Sequence, residues 1–275
     1  LIVAAPRLLD FEKTNESIAS KLTSEGTQNF TLLNDNEKFY NEHHKVFQVR
    51  ILKNPEINKA LFAIESISQF FYRSKYQNFL FTSKIDLEKD TFYKSKILAI
   101  DKLNKLMPPF IKDENELRMF VSNIGDDNLY EVLVSAILTN YFTTIPRDID
   151  KRFIILCMKE YYRFFYIVKK ILIEKDIKSL IIYNGRMIRY AAAYHAGLSL
   201  GINNFKFYEK TIKDKNSYYL FSKPIHFLKD LGIELKESSL KKNINFDLGY
   251  RYIGKRFAGD ETGFLVNFQK NRFSN

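Results

Sequence analysis

The chain carries one cysteine among 275 residues, and that scarcity closes off two chemistries. A lone thiol forms no disulfide within its own chain and assembles no Cys-based metal site. Cys157 stands among Ile155, Leu156 and Met158, so it reads as a small buried hydrophobe in a reducing compartment. Long apolar runs are missing as well. The uncharged runs of the most apolar region, 153–158 and 164–168, fall far short of the ~20 residues that span a bilayer, so no membrane-spanning helix is expected. Glycine is scarce at first: only Gly26 and Gly125 precede residue 184, whereas eight follow between Gly185 and Gly263. Tight backbone turns therefore concentrate in the last third. No zinc or calcium ligand pattern occurs. His43 and His44 are neighbours and point apart, and His195 falls mid-helix as a packing or surface residue.

What is present describes a folded chain. With 45% apolar and 27% charged residues, a chain of this length buries roughly three quarters of its unfolded surface. Forty-three Lys and Arg against 32 Asp and Glu give a net charge of +11. Such a surplus favours anionic partners, namely nucleic acid, phosphorylated metabolites or acidic lipid surfaces. It also fits plain compositional drift in a chain rich in Lys, Ile, Asn, Phe and Tyr, and both readings stand. The chain opens on Leu1 instead of methionine, so residues are expected before it.

Residues 1–5 are strand formers, too few for a signal peptide, and 10–22 have helical spacing. Residues 45–52 alternate well enough for a second strand. From there to about 175 the pattern is helical. Asn54-Pro55-Glu56 opens one helix; Pro108-Pro109 breaks another. Asp113 starts a third, with Leu117, Phe120, Val121 and Ile124 on its inner face and Gly125 at its end. Asp126 or Asp127 caps 129–142, Pro146 marks a boundary, and 148–175 reads as one long helix whose aromatics belong to the core. Residues 179–183, SLIIY, are a continuous apolar run without alternation, which means a strand covered on both faces. An Ala-rich helix over 187–200, a stop at Gly201 and a strand over 204–209 complete a β-α-β unit of about thirty residues. The fold class is α/β: a Rossmann-like parallel sheet with a large helical insertion at about 55–175. One domain is expected over 1–240, followed by a basic, glycine-containing tail or linker over 241–275.

In open parallel sheets, ligands gather beyond the carboxyl ends of the strands. Asn184-Gly185-Arg186 falls at such an end. Gly185 permits the turn, Arg186 offers a planar fork for phosphate or carboxylate, and Asn184 bonds either a sugar hydroxyl or the turn itself. The competing reading is a plain Asn-Gly turn with Arg186 paired to Glu209 at the end of the next strand.

The block IIYNGRMIRYAAAYHAGLSLGINNFKFYE resembles the Asn-Gly-Arg loop of bacterial capsular polysaccharide biosynthesis glycosyltransferases. The opening LIVAAPRLLDFEKTNESIASKL is similar to the first strand and helix of that family, and 246–273 to its inter-domain region. The resemblance implies the N-terminal half of a GT-B glycosyltransferase, which faces a second Rossmann-like domain across a cleft. It implies acceptor binding on this domain and nucleotide-sugar on the other. The donor is a substrate, and no essential metal or other cofactor is implied. Nothing after Phe273 supplies the second domain, so a truncated or naturally short chain, inactive alone, is expected. The implied site is cytoplasmic, at or near the inner face of the membrane, and the acceptor is a glycan or a lipid-linked glycan. An inverting transfer needs a general base. Asp10, after the first strand, is the first candidate and Glu12 the next, although an acid there also serves as a cap or dipole partner. His226, after Lys223-Pro224, is a candidate cleft residue. The tail's Lys241, Lys242, Arg251, Lys255, Arg256, Lys270 and Arg272, set against Asp247, Asp260 and Glu261, can meet a phosphorylated lipid carrier or an anionic membrane, or form a solvated face. Two other classes remain open: a basic nucleic-acid-binding module and a non-catalytic scaffold. Against the first, the 25 Phe and 17 Tyr follow core spacing and do not interleave with Lys and Arg on a strand platform, so no nucleic acid is expected.

Overall fold

In a computed structural model of the chain, residues 1–3, 9–33, 79–141, 148–185, 187–210 and 218–222 are described. All belong to the first of the chain's two units, Leu1–Phe227; the expected boundary at 240 lies outside the described residues.

The strands β1 (Ile2–Val3), β2 (Thr31–Leu33), β3 (Phe79–Phe81), β6 (Ser179–Tyr183), β7 (Asn204–Lys210) and β8 (Tyr218–Phe221) form one sheet in the order β3-β2-β1-β6-β7-β8. Every pairing is parallel except that of β8 against β7. Counted along the chain, the order is third, second, first, fourth, fifth, sixth: the order of a doubly wound sheet, which reverses direction between β1 and β6. The α/β class and the mostly parallel sheet are therefore as the sequence indicates.

Both faces of the sheet are covered. On β7, Phe205 and Phe207 stack edge-on against Tyr194 of α6 (Ile188–Ser199). Tyr208, pointing the other way, donates to Asn15 Oδ1 of α1 (Leu9–Ser24) at 2.6 Å. Alternating side chains on one strand thus anchor a helix on each side. On β6, Leu180 and Ile182 are fully buried on one face, while on the other Tyr183 is buried and Ile181 is partly buried against the core. Helix α6 comes unusually close to the Leu180 face. A β-carbon at Gly197 would stand 2.8 Å from Phe205 Cε1 and 3.1 Å from Leu180 Cδ1.

Between β3 and β6 lie α2 (Thr91–Leu106), α3 (Glu114–Ser122), α4 (Asp127–Tyr141) and α5 (Lys151–Glu174), with a short antiparallel pair β4 (Phe110–Ile111) and β5 (Ile149–Asp150). Their boundaries follow local chemistry. Asp90, Asp113 and Asp150 cap α2, α3 and α5 by accepting from Tyr93, Glu116 and Arg152 N–H groups. The carbonyls of Asn104 and Met107 at the end of α2 both receive Lys151 Nζ at 3.2 Å, a cation on the negative helix end. Gly125, at φ 67°, follows α3 as expected. Asp126 sends its carboxylate to the Tyr162 hydroxyl at 2.9 Å. Helices α5 and α6 end alike. Ile177 N–H returns to Leu172 O and Ile202 N–H to Gly197 O, with Asp176 (φ 47°) and Gly201 (φ 74°) in the left-handed region.

Three expectations need revision. The strands at Thr31–Leu33 and Tyr218–Phe221 are missing from the sequence reading, and Phe79–Phe81 lies inside the stretch read as helical. These strands are short, and the pairing that defines them is long-range. The expected strand at 45–52, the helix from Asn54 and the boundary at Pro146 lie outside the described residues. Among the described residues, no helix is long and apolar enough to cross a membrane.

Candidate functional site

The sheet's reversal point is its chemically distinctive edge, because the chain leaves β1 and β6 there toward opposite faces. At the end of β6, Asn184 N–H extends the ladder by one bond to Tyr208 O at 2.9 Å. The chain then turns sharply. Gly185 N–H bonds Tyr183 O at 2.5 Å, closing a three-residue turn around Asn184. Asn184 has φ 56° and Gly185 φ 76°, two consecutive left-handed residues that asparagine and glycine accept most readily. Met187 then begins α6 as an N-cap that makes no side-chain cap bond. The first amides of α6, with the positive end of the helix dipole, open onto this edge.

Behind the turn lies a charge cluster. Glu160 on α5 is 3% exposed. Its Oε1 receives Arg189 Nε from the first turn of α6 at 2.6 Å, and its Oε2 receives Arg163 Nε at 2.9 Å. The two arginine side chains remain 16% and 18% exposed. Two guanidinium groups thus meet one buried carboxylate beside a helix N-terminus. Helix geometry explains the placement. Between Glu160 and the end of α5 at Glu174 the helix rises roughly 21 Å at 1.5 Å per residue. The five residues of β6 rise roughly 17 Å. Glu160 therefore stands level with the carboxyl edge of the sheet. Nearby, Tyr93 is held above the usual phenol range mainly by burial, against the lowering influence of the Arg163 guanidinium.

The positions proposed from sequence fall as follows. Asn184 and Gly185 form the turn just described. Glu209 lies on β7 one residue past Tyr208, the register partner of Tyr183, so its backbone is on the same edge. Asp10 and Glu12 stand within the first turn of α1, the helix that follows β1; Asp10 is inside that helix and not in the loop before it. Arg186 and His226 lie outside the described residues, as do His43 and His44. His195 packs α6 on α5: its Nδ1 lies 2.8 Å from the Tyr161 hydroxyl. Cys157 is 1% exposed, and burial pushes its thiol well above the ordinary range. The aromatic side chains Phe205, Phe207 and Tyr208 of β7 are buried in the core and offer no stacking platform.

Sequence reasoning passed over Glu160, Arg163 and Arg189. One signal was available: Glu160 sits three residues after Cys157 and four before Phe164, a charge inside an apolar helical stripe.

A cleft of about 830 Å³ lies at the other end of the sheet, bordered by Asp176, Lys178, Gly201 and Asn204. These residues end α5 and α6 and begin β6 and β7, so the cleft is on the amino edge, framed by negative helix ends. It lacks the convergent cations and opening amides of the carboxyl edge. Among the described residues, no group of His, Cys, Asp and Glu is arranged to hold a metal ion. No protein-family model, curated protein or solved structure matches this chain.

Proposed function

We propose that this chain is the acceptor-side, Rossmann-like domain of a nucleotide-sugar-dependent glycosyltransferase of bacterial surface polysaccharide biosynthesis, resembling the N-terminal half of a GT-B enzyme and working in the cytoplasm. The observation that carries the proposal is the seat of the Asn184–Gly185 turn. It leaves β6 where the strand order reverses, with Arg189 and Arg163 gathered behind it. An amide side chain matches hydroxyl groups and a guanidinium matches phosphate oxygens. A sugar bearing phosphate is the ligand class that uses both.

In the reaction, an acceptor hydroxyl oxygen bonds to the anomeric carbon of the donor. The bond from that carbon to the phosphate oxygen breaks, and its electron pair departs on the nucleoside diphosphate. The hydroxyl proton passes to a base, for which Asp10 is the first assignment and Glu12 the second, since α1 opens after the strand beside β6. Arg186 and Arg189 offset the charge that develops on the diphosphate. Glu209 and His226 are assigned to ligand contact, with a glycan or lipid-linked glycan as acceptor.

The test uses the full-length protein and a panel of nucleotide-sugars. Asn184→Gly preserves the left-handed turn and removes the amide, so unchanged melting with a tenfold or greater loss of transfer is expected (about 1.4 kcal/mol of transition-state stabilisation). Arg186→Ala is expected to lower transfer likewise. Full turnover by both variants would remove the assigned roles.

A further inference from the structure

We propose that the outward face of α2 is a docking surface for an anionic lipid bilayer. This stands independently of the sugar-transfer reading, because it concerns a different element and a different ligand.

The inner face of α2 is accounted for. Ile100 and Leu103 are buried, and Lys96 donates to Ile124 O at 3.0 Å while lying 5.3 Å from the centre of the Tyr162 ring. On the outer face, Leu98 and Leu106 are 62% and 75% exposed. At 100° per residue, Lys94, Lys102 and Lys105 fall on the same side, and all three are exposed. That face holds no carboxylate. Asp101 lies at its flank and is engaged by Lys159 at 2.7 Å. Among the described residues none of the three lysines has an ion pair. Phe110, just beyond the helix, is 55% exposed. The acids that follow are occupied: Glu114 bonds Arg118 and Tyr130, and Glu116 accepts from Lys112 N–H.

Large apolar side chains flanked by lysines on one unpartnered helix face match the chemistry of a membrane interface. The apolar groups enter the acyl boundary, and the lysine stems run along it with their amines among anionic headgroups. Positive charge without intervening acid selects an anionic surface over a neutral one. A nucleic acid would engage the lysines but leave Leu98 and Leu106 idle.

The experiment is co-sedimentation of the full chain with two vesicle types, phosphatidylcholine alone and phosphatidylcholine containing about one third phosphatidylglycerol. Binding is expected only to the anionic vesicles. Lys94→Glu/Lys102→Glu/Lys105→Glu is expected to weaken partitioning on the order of a hundredfold. Leu98→Ser/Leu106→Ser is expected to weaken it about tenfold, and thermal melting should be unchanged in both, since every substituted side chain is exposed. The proposal is overturned if wild-type protein ignores anionic vesicles. It is also overturned if the serine variant partitions like wild type, which would point to the basic tail or a purely electrostatic contact. Retention of single-stranded RNA by wild type and serine variant, with no vesicle binding, would assign the face to nucleic acid instead.

Discussion

Arg189 Nε lies 2.6 Å from Glu160 Oε1, and this bond ties the first turn of α6 to the middle of α5. Because that turn follows Asn184–Gly185, the buried acid also fixes where the candidate ligand loop ends. Its second oxygen holds Arg163, so one carboxylate bonds two guanidinium groups.

Removing one member of such a cluster costs more than the cluster contributes, because the remaining charges stay desolvated. Glu160→Ala is expected to lower unfolding free energy by about 3–5 kcal/mol, read by urea denaturation. Arg163→Ala should cost clearly less, because Glu160 keeps Arg189 and Arg163 is partly exposed. Equal losses for the two variants would mean that the carboxylate is not the hub.

The contrast between β6 and β2 explains how much of the molecule is legible in its sequence. Residues 179–183 form an unbroken apolar run ahead of Asn-Gly, so strand, turn and following helix are local information. Thr31–Leu33 is three residues long and acquires its identity from β1 and β3 beside it, which no local pattern reports. The site divides in the same way. The Asn184–Gly185 turn is written in its dipeptide. Arg189 meets Glu160 only because α5 outruns β6, a relation between two lengths separated along the chain. Position 160 still leaves a trace, as an acid within the apolar stripe of α5.

Gly197 offers a packing test. Phe205 is held between Tyr194 and Phe207, with ring centres 4.8 and 6.3 Å away, so its ring has little room to retreat from an added methyl group 2.8 Å away. Gly197→Ala is therefore expected to destabilise by about 1–3 kcal/mol, despite the higher helix propensity of alanine. Phe205→Leu should recover part of that loss in the double variant, and a purely additive result would reject the contact as its cause.

Asp176 and Gly201 occupy the same step after α5 and α6, yet only one is glycine. A side chain in the left-handed region costs about 1–2 kcal/mol, partly offset by the extra freedom glycine has when unfolded. Asp176 also pairs with Lys178, but both side chains are about four-fifths exposed, and such pairs contribute little. Asp176→Gly is thus expected to raise stability by about 0.5–1 kcal/mol, whereas Gly201→Ala lowers it. A lower melting temperature for Asp176→Gly would count against this account of the turn.

Asp150 links helix capping to pH. Its carboxylate accepts Arg152 N–H at 2.8 Å and the Arg152 guanidinium Nε at 2.9 Å. The side-chain bond is the main reason the carboxyl is held below the ordinary aspartate range. A depressed folded-state value means that the unfolded chain binds the proton more readily. Its contribution is therefore fully present above about pH 3.9, the unfolded value, and is lost as pH falls through the lower folded one. The cation is 71% exposed, so the effect is modest. Asp150→Asn keeps an amide oxygen able to cap α5 and removes the charge. Its stability deficit at pH 6 should be under about 1 kcal/mol and should shrink toward zero by about pH 2. Denaturant midpoints for both proteins across that interval decide the matter, and a deficit that stays constant with pH would show that the charge of Asp150 does not contribute.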